Sequence, residues 1–184
     1  MLAVAVCLGL TFAGCNEDDN NGANTINLRQ WRDINNQWLA EMQSRKGDDG
    51  QPYYKTIIPR WDAGSFVLVH YFNERSDNPD LLKPLYTSTI DVRYRLELYN
   101  GTPVDSSTNV TTWGPGIYRA QLSSLIPGWA AAVCDMHVGD TAEVIVPYKL
   151  GYGTTSTGSI PGYSNLKFGI RLVDIAAYEL PSEQ

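Results

Sequence analysis

The chain has two histidines, His70 and His137, and three cysteines, Cys7, Cys15 and Cys134, and any nucleophilic or metal chemistry would have to be built from these. Neither histidine stands among carboxylates or cysteines at the spacing of a metal-ligand motif. No serine or cysteine nucleophile motif accompanies either one. The glycines of Gly151-Tyr152-Gly153 lead into a Ser/Thr-rich stretch and not into a helix, so they make no phosphate cradle. These residues therefore predict no reaction that makes or breaks a covalent bond, and they imply no metal and no cofactor. The chain's large contact area lies in 11 Tyr, 5 Trp and 4 Phe. Several of these fall where periodicity turns them toward an apolar side.

Ile90, Val92, Tyr94, Leu96 and Leu98 alternate with Asp91, Arg93, Arg95 and Glu97, the pattern of a half-buried strand, and Asn100-Gly101 is a tight hairpin signal. Tyr94 thus points to the apolar side. Thr102–Ser107 returns as a strand. Trp129, Ala132, Val133 and Met136 share one face of a short helix closed near Gly139, which turns Trp129 inward. Ala142, Val144 and Val146 predict a strand, as do Leu166, Phe168, Ile170 and Leu172, on either side of a Gly/Ser/Thr loop over residues 151–162. Further upstream, Tyr53–Ile58 and Ser65–Tyr71 are two β-rich runs parted by Pro59 and Ala63-Gly64, and Ser76–Lys83 is a polar loop. Connections this short predict an α+β domain with a curved, mainly antiparallel sheet wrapped around one short helix.

An extra N-terminal helix is expected over residues 26–47. Trp31, Ile34, Trp38, Leu39 and Met42 form an apolar stripe, Asn27 and Gln30 resemble a capping box, and Gly47-Asp48-Asp49-Gly50 ends the run. The stripe is expected to pack on its own domain, with a dimer or a client-binding surface as the alternative. Ahead of it, residues 1–14 hold an uncharged apolar run too short to span a bilayer but suited to a signal peptide. Phe12-Ala13-Gly14-Cys15 resembles a bacterial lipobox, which makes Cys15 the expected lipidation site and residues 15–25, rich in Asn, Asp and Gly, a tether. The expected location is the cell envelope, with the chain anchored in the membrane through its lipid. Cys134 is then left without a disulfide partner, as a small buried hydrophobe. The net charge of −6, with Lys and Arg scattered, argues against nucleic acid as a partner.

Taken one at a time, the aromatic residues read as ordinary core. Taken in order, they carry a resemblance: Val92-Arg93-Tyr94, Asn100-Gly101, Val104-Asp105-Ser106-Ser107, Ile126-Pro127-Gly128-Trp129, Met136-His137-Val138-Gly139, Ile145-Val146-Pro147, Leu150-Gly151-Tyr152-Gly153, Ile160-Pro161 and Leu166-Lys167-Phe168. Together these resemble the FKBP family of peptidyl-prolyl cis-trans isomerases, in the family's order and near its spacing, over a core at residues 84–178, with residues 48–83 as added strands. The lipoprotein form resembles those of Bacteroidetes. The resemblance implies a pocket with Trp129 as its floor and Tyr94, Phe168, Leu125, Ile126, Tyr152 and Ile160 as walls, and with Asp105 as its carboxylate. It also implies that the Tyr152 hydroxyl and the Ile126 N–H hold the carbonyls flanking a proline.

Such a pocket fits a reaction without a nucleophile. Rotation about an X-Pro bond meets a barrier of roughly 18–20 kcal/mol because the twisted amide loses its resonance. A dry aromatic cleft disfavours the polar planar amide relative to the twisted one. Proline-containing polypeptides are the implied partners. The chain departs from the family in its walls, where Val104 stands for the aromatic that usually precedes the aspartate and Gly116 occupies the place of a second aromatic wall, for which Tyr118 is the nearest candidate, and in its Tyr152–Ile160 loop, which is one residue short and carries Ser and Thr instead of bulky groups. The rival function is a binding module for proline-containing segments or a protein partner, with little or no turnover.

Overall fold

The computed structural model describes residues 27–75 and 81–178. The signal peptide, Cys15, the tether and Pro79 lie outside the described residues. The sheet is organised on its longest central pair, β3 (Thr89–Leu98) and β7 (Leu166–Ala177), which run antiparallel along nearly their whole length. Their alternation is what the sequence predicts: Ile90, Val92, Leu96, Leu98, Leu166, Phe168, Ile170 and Leu172 are all buried.

The remaining strands are β1 (Lys55–Ile57), β2 (Val67–Tyr71), β4 (Pro103–Ser106), β5 (Tyr118–Gln121) and β6 (Thr141–Val146). The order is β1-β2-β6-β7-β3-β4 with every pairing antiparallel, and β5 also pairs with β3. The edge of β3 is thus shared, β5 taking Thr89–Val92 and β4 taking Arg95–Glu97. Strand β5 is absent from the sequence expectation, because its four residues, Tyr118-Arg119-Ala120-Gln121, alternate over too short a run, next to a Gly/Pro-punctuated stretch, to signal a strand. What fixes it is ionic. Arg119 of β5 stands opposite Asp91 and donates from Nε and Nη2 to its two carboxylate oxygens, both at 2.6 Å. Asp91 is only 7% exposed, so this bidentate pair satisfies a charge that burial would otherwise make costly.

Helix α2 (Pro127–Val133) lies across the concave face with Gly128 through Val133 all buried. It ends six residues short of Gly139, since Cys134 caps it and Asp135 and Met136 donate to carbonyls three residues back. A Cβ on Gly128 would sit 2.3 Å from Val146 Cγ1, so the helix touches β6 through a bare backbone. That close approach sets the depth at which Trp129 sits. Beyond α2, Asp135 accepts from Lys55 Nζ at 2.7 Å and Tyr71 Oη at 2.8 Å, while Arg75 reaches both Asp135 and Asp140, tying the helix end to β1 and β2.

Helix α1 (Leu28–Ser44) begins where Asn27 Oδ1 accepts from the N–H of Arg29 and of Gln30. It stops before the glycines because Arg45 turns extended and its carbonyl takes the N–H of Tyr53. Trp38, Leu39 and Met42 pack against Tyr54, Leu68 and Ile145 on the outer face of the sheet, and Trp31 packs against the main core. The stripe therefore packs on its own domain, with Trp31, Trp38, Leu39 and Met42 each half-buried. The residue of α1 that is fully buried is polar. Asn35 Oδ1 accepts from the N–H of Asn165 at 2.8 Å, and Asn165 Nδ2 donates to the Asn35 carbonyl at 2.6 Å.

Candidate functional site

Three aromatic rings from three elements meet over the concave face. Tyr94 of β3 and Phe168 of β7 each stand edge-on to Trp129 of α2, with centroids 5.4 Å away and planes near perpendicular. These are the arrangements aromatic pairs prefer. Trp129 and Phe168 are sealed at 4% and 3% exposure, whereas Tyr94 is half-buried, so the cluster grades from a closed floor to an open rim. Tyr118 adds a fourth ring, 5.5 Å from Tyr94. It is aimed there by the Asp91–Arg119 pair, which fixes β5 in the register that sets Tyr118 opposite Val92. Tyr118, the nearest candidate for the second aromatic wall, thus stands beside Tyr94, while Gly116 lies against Arg93 and the Ser107 carbonyl.

Val104, Leu125 and Ile126 pack half-buried against the main core, of which Trp129, Phe168 and Ile160 are buried members. Ile160 is held by a loop that closes on itself. Its carbonyl and N–H exchange hydrogen bonds with Thr157, and Gly162 passes so near Thr154 that a Cβ there would sit 2.1 Å from the Thr154 carbonyl oxygen. The Ser/Thr side chains of this loop are exposed. Asn165, at its end, is the residue bonded to Asn35, and Ser164 accepts from Trp31 Nε1 at 3.0 Å, so α1 braces the segment that carries Ile160. No sequence signal marked this brace.

The polar groups gather at the rim. Tyr94 Oη donates to Asp105 Oδ2 at 2.6 Å, and Asp105 Oδ1 accepts from the N–H of Ser106 at 2.8 Å. Burial raises the pKa of the Tyr94 phenol far above its ordinary 10.0, and the bond to Asp105 and its charge push the same way. Tyr152 is 41% exposed, and its phenol is also raised, by burial first and then by the charge of Asp105. Both hydroxyls are therefore kept as donors. The Ile126 N–H, at the open end of α2, donates to no other group among the described residues. The arrangement offers an apolar floor, two neutral hydroxyls, one carboxylate and a spare backbone donor. Among the described residues no group of three His, Cys, Asp or Glu could hold a metal.

Residues 83–173 match the family model described as FKBP-type peptidyl-prolyl cis-trans isomerase. The FK506-binding protein 2 of Dictyostelium discoideum is 35% identical over 102 residues, which cover 55% of this chain and 69% of that protein. The chain belongs to the FKBP family. Another FKBP-type relative, FkpA of Buchnera aphidicola, is 33% identical over 134 residues, or 68% of this chain. The chain spans about half of that relative's length, 48%. The FKBP fold is seen again in a peptidyl-prolyl cis-trans isomerase structure from Pseudomonas syringae, with a TM-score of 0.64 at 21% identity, covering 83% of this chain and 98% of that one. Of the residues named from the sequence, Tyr94, Tyr118, Trp129 and Phe168 are in ring contact and Asp105 is bonded to Tyr94, while Val104, Leu125, Ile126 and Ile160 belong to or pack on the same main core and Tyr152 stands exposed. The residues that the resemblance missed, Asp91, Arg119, Asn35 and Asn165, lie one layer behind the pocket.

Proposed function

We propose that this protein is a peptidyl-prolyl cis-trans isomerase acting on exported polypeptides, and the observation that carries the reading is the edge-to-face set Tyr94–Trp129–Phe168 with Asp105 at its rim. The proline ring seats on Trp129, whose buried indole offers a flat apolar floor, and Phe168, Ile160, Leu125 and Val104 enclose it. The Ile126 N–H and the Tyr152 hydroxyl take the carbonyls on either side, fixing the chain while the amide between them turns. Tyr94, bonded to Asp105, keeps the carboxylate turned to the rim. A polar planar amide loses hydration in this cleft and the twisted amide loses less, which lowers the barrier with no bond formed to the protein.

A protease-free assay on a proline tetrapeptide tests this. Acceleration above the uncatalysed rate supports it, and peptide binding without acceleration would leave the binding module as the function. That second reading draws on Val104, which gives a smaller wall than an aromatic residue would.

The same proposal includes an envelope location. Cys15 receives the lipid, residues 15–25 form the tether, and the isomerase core at 84–178 is held at the membrane. In a cell expressing the full chain, labelled fatty acid should enter the protein, and Cys15→Ser should abolish the labelling and shift the chain to the soluble fraction. Labelling unchanged by Cys15→Ser would remove the anchor.

A further inference from the structure

Among the described residues β5 pairs with one strand, β3, and none of its four side chains is fully buried. A strand held so lightly has no hydrophobic lock on its register, and a slip of one residue would turn every side chain to the other face. For β5 that slip would carry Tyr118 away from Tyr94 and bring the Arg119 guanidinium to the pocket side in its place. Asp91 and Arg119 oppose it. They face each other across the ladder, and the guanidinium donates through two nitrogens at 2.6 Å each. The Asp91 side chain is 10% exposed, so a slip would break both bonds and strand a buried carboxylate. The guanidinium also lies 4.1 Å from the centroid of the Trp113 ring, which covers the pair from outside.

Tyr118 and Arg119 are successive residues of a strand and so point to opposite faces. Tyr118 meets Tyr94 edge-on at 5.5 Å. The phenols of Tyr94 and Tyr152 are raised first by burial and then by Asp105, and the closeness of Tyr118 pushes both the same way. Tyr118 therefore stands among the rim tyrosines that a bound peptide must pass. We infer that Asp91 and Arg119 are positioning residues of the isomerase site, which touch no substrate and act from the far face of the sheet by holding Tyr118 at the rim. The inference rests on the isomerase reading and deepens it. The competing arrangement is that Ile117 and Leu122, buried at 7% and 0% on either side of β5, hold the strand without the ion pair.

The test is a double-mutant cycle on kcat/KM for a proline tetrapeptide, using the full chain. Asp91→Asn/Arg119→Met removes the pair without stranding a buried charge, and Tyr118→Ala removes the side chain that the pair positions. Each change alone should lower kcat/KM about fivefold. Made together with Tyr118→Ala, loss of the pair should lower it no further, because nothing is left to position. Arg119→Lys keeps the charge without the two-armed geometry and should fall between the parent and the paired variant. Circular dichroism checks that the compared proteins are folded, and Arg119→Lys takes the place of the paired variant in the cycle if that variant does not fold. Parental turnover in the paired variant means that Ile117 and Leu122 suffice and overturns the inference. An equal loss with and without Tyr118, the mark of a general structural effect, overturns it too, as does parental turnover in Tyr118→Ala. If the parent protein accelerates no peptide, the isomerase reading fails separately. The cycle is then read on peptide dissociation constants from fluorescence anisotropy, and the inference stands only if loss of the pair weakens binding with Tyr118 present and not without it.

Discussion

Two tyrosines at the rim do different work from the tryptophan beneath them. Tyr152 is exposed and makes no contact that the fold depends on, so Tyr152→Phe should leave the unfolding midpoint unchanged while lowering turnover about fivefold, the worth of one hydrogen bond to substrate. A peptide assay beside a denaturant titration reads both quantities, and loss of stability in the variant would mean that the hydroxyl has a structural partner. The raised pKa values of Tyr94 and Tyr152 carry a second expectation. An ordinary phenol with a pKa of 10.0 is half ionised at pH 10. Both titrate above that point, so turnover at pH 10 should fall by less than the half that an ordinary phenol would give. A loss of half or more by pH 10, with the protein still folded by circular dichroism, would show that one hydroxyl titrates near its ordinary value.

The elements that place these residues were unevenly legible. The alternation of β3, β6 and β7 states in residues which side faces the core, and the stripe of α1 states which side faces the sheet. The pocket needed nine short motifs in register, since each aromatic residue alone has the same pattern as any core residue. Strand β5 could not be read, because its place depends on an ion pair between residues 28 apart in sequence, and only one partner, Asp91, lies in a recognisable strand. The bond from Asn35 to Asn165 spans 130 residues and joins an asparagine on a helix to one in a loop, residue types that usually signal surface. Its weight is testable. Asn35→Ala leaves the buried Asn165 N–H without an acceptor and should cost about 2 kcal/mol, read from urea unfolding. It should also loosen the segment holding Ile160, raising KM for peptides. Unfolding identical to the parent's would show that the segment finds another acceptor.

At the scale of the whole molecule, acid should act on one cluster. Asp135, Asp140, Arg75, Lys83, Lys55 and His137 meet where the end of α2 joins β1 and β2. Burial holds the His137 pKa below its ordinary 6.5, helped by the charges of Arg75 and Lys83. Burial pushes the Asp135 carboxyl up, but the hydrogen bonds from Lys55 and Tyr71 and the nearby lysine charges outweigh it and hold its pKa below 3.8. Both depressed values act in the same direction. The unfolded chain takes up protons first, so the stability these groups contribute is whole above pH 6.5, weakens as His137 of the unfolded chain protonates, and weakens again below pH 3.8 toward the folded pKa of Asp135. Thermal melts from pH 8 to pH 3 should show both declines, and His137→Gln should remove the first. A variant with the parent's profile would place the first decline elsewhere.

The brace between α1 and the Ile160 loop also fixes how the molecule carries force. The chain ahead of Asn27 enters the fold through α1, and α1 is joined to the segment behind the pocket by the Asn35–Asn165 bonds and by Trp31 on Ser164. Tension applied at that end is borne jointly by these bonds and by the packing of Trp38, Leu39 and Met42 on the outer face of the sheet. The entry of the chain and the segment carrying Ile160 are therefore mechanically joined.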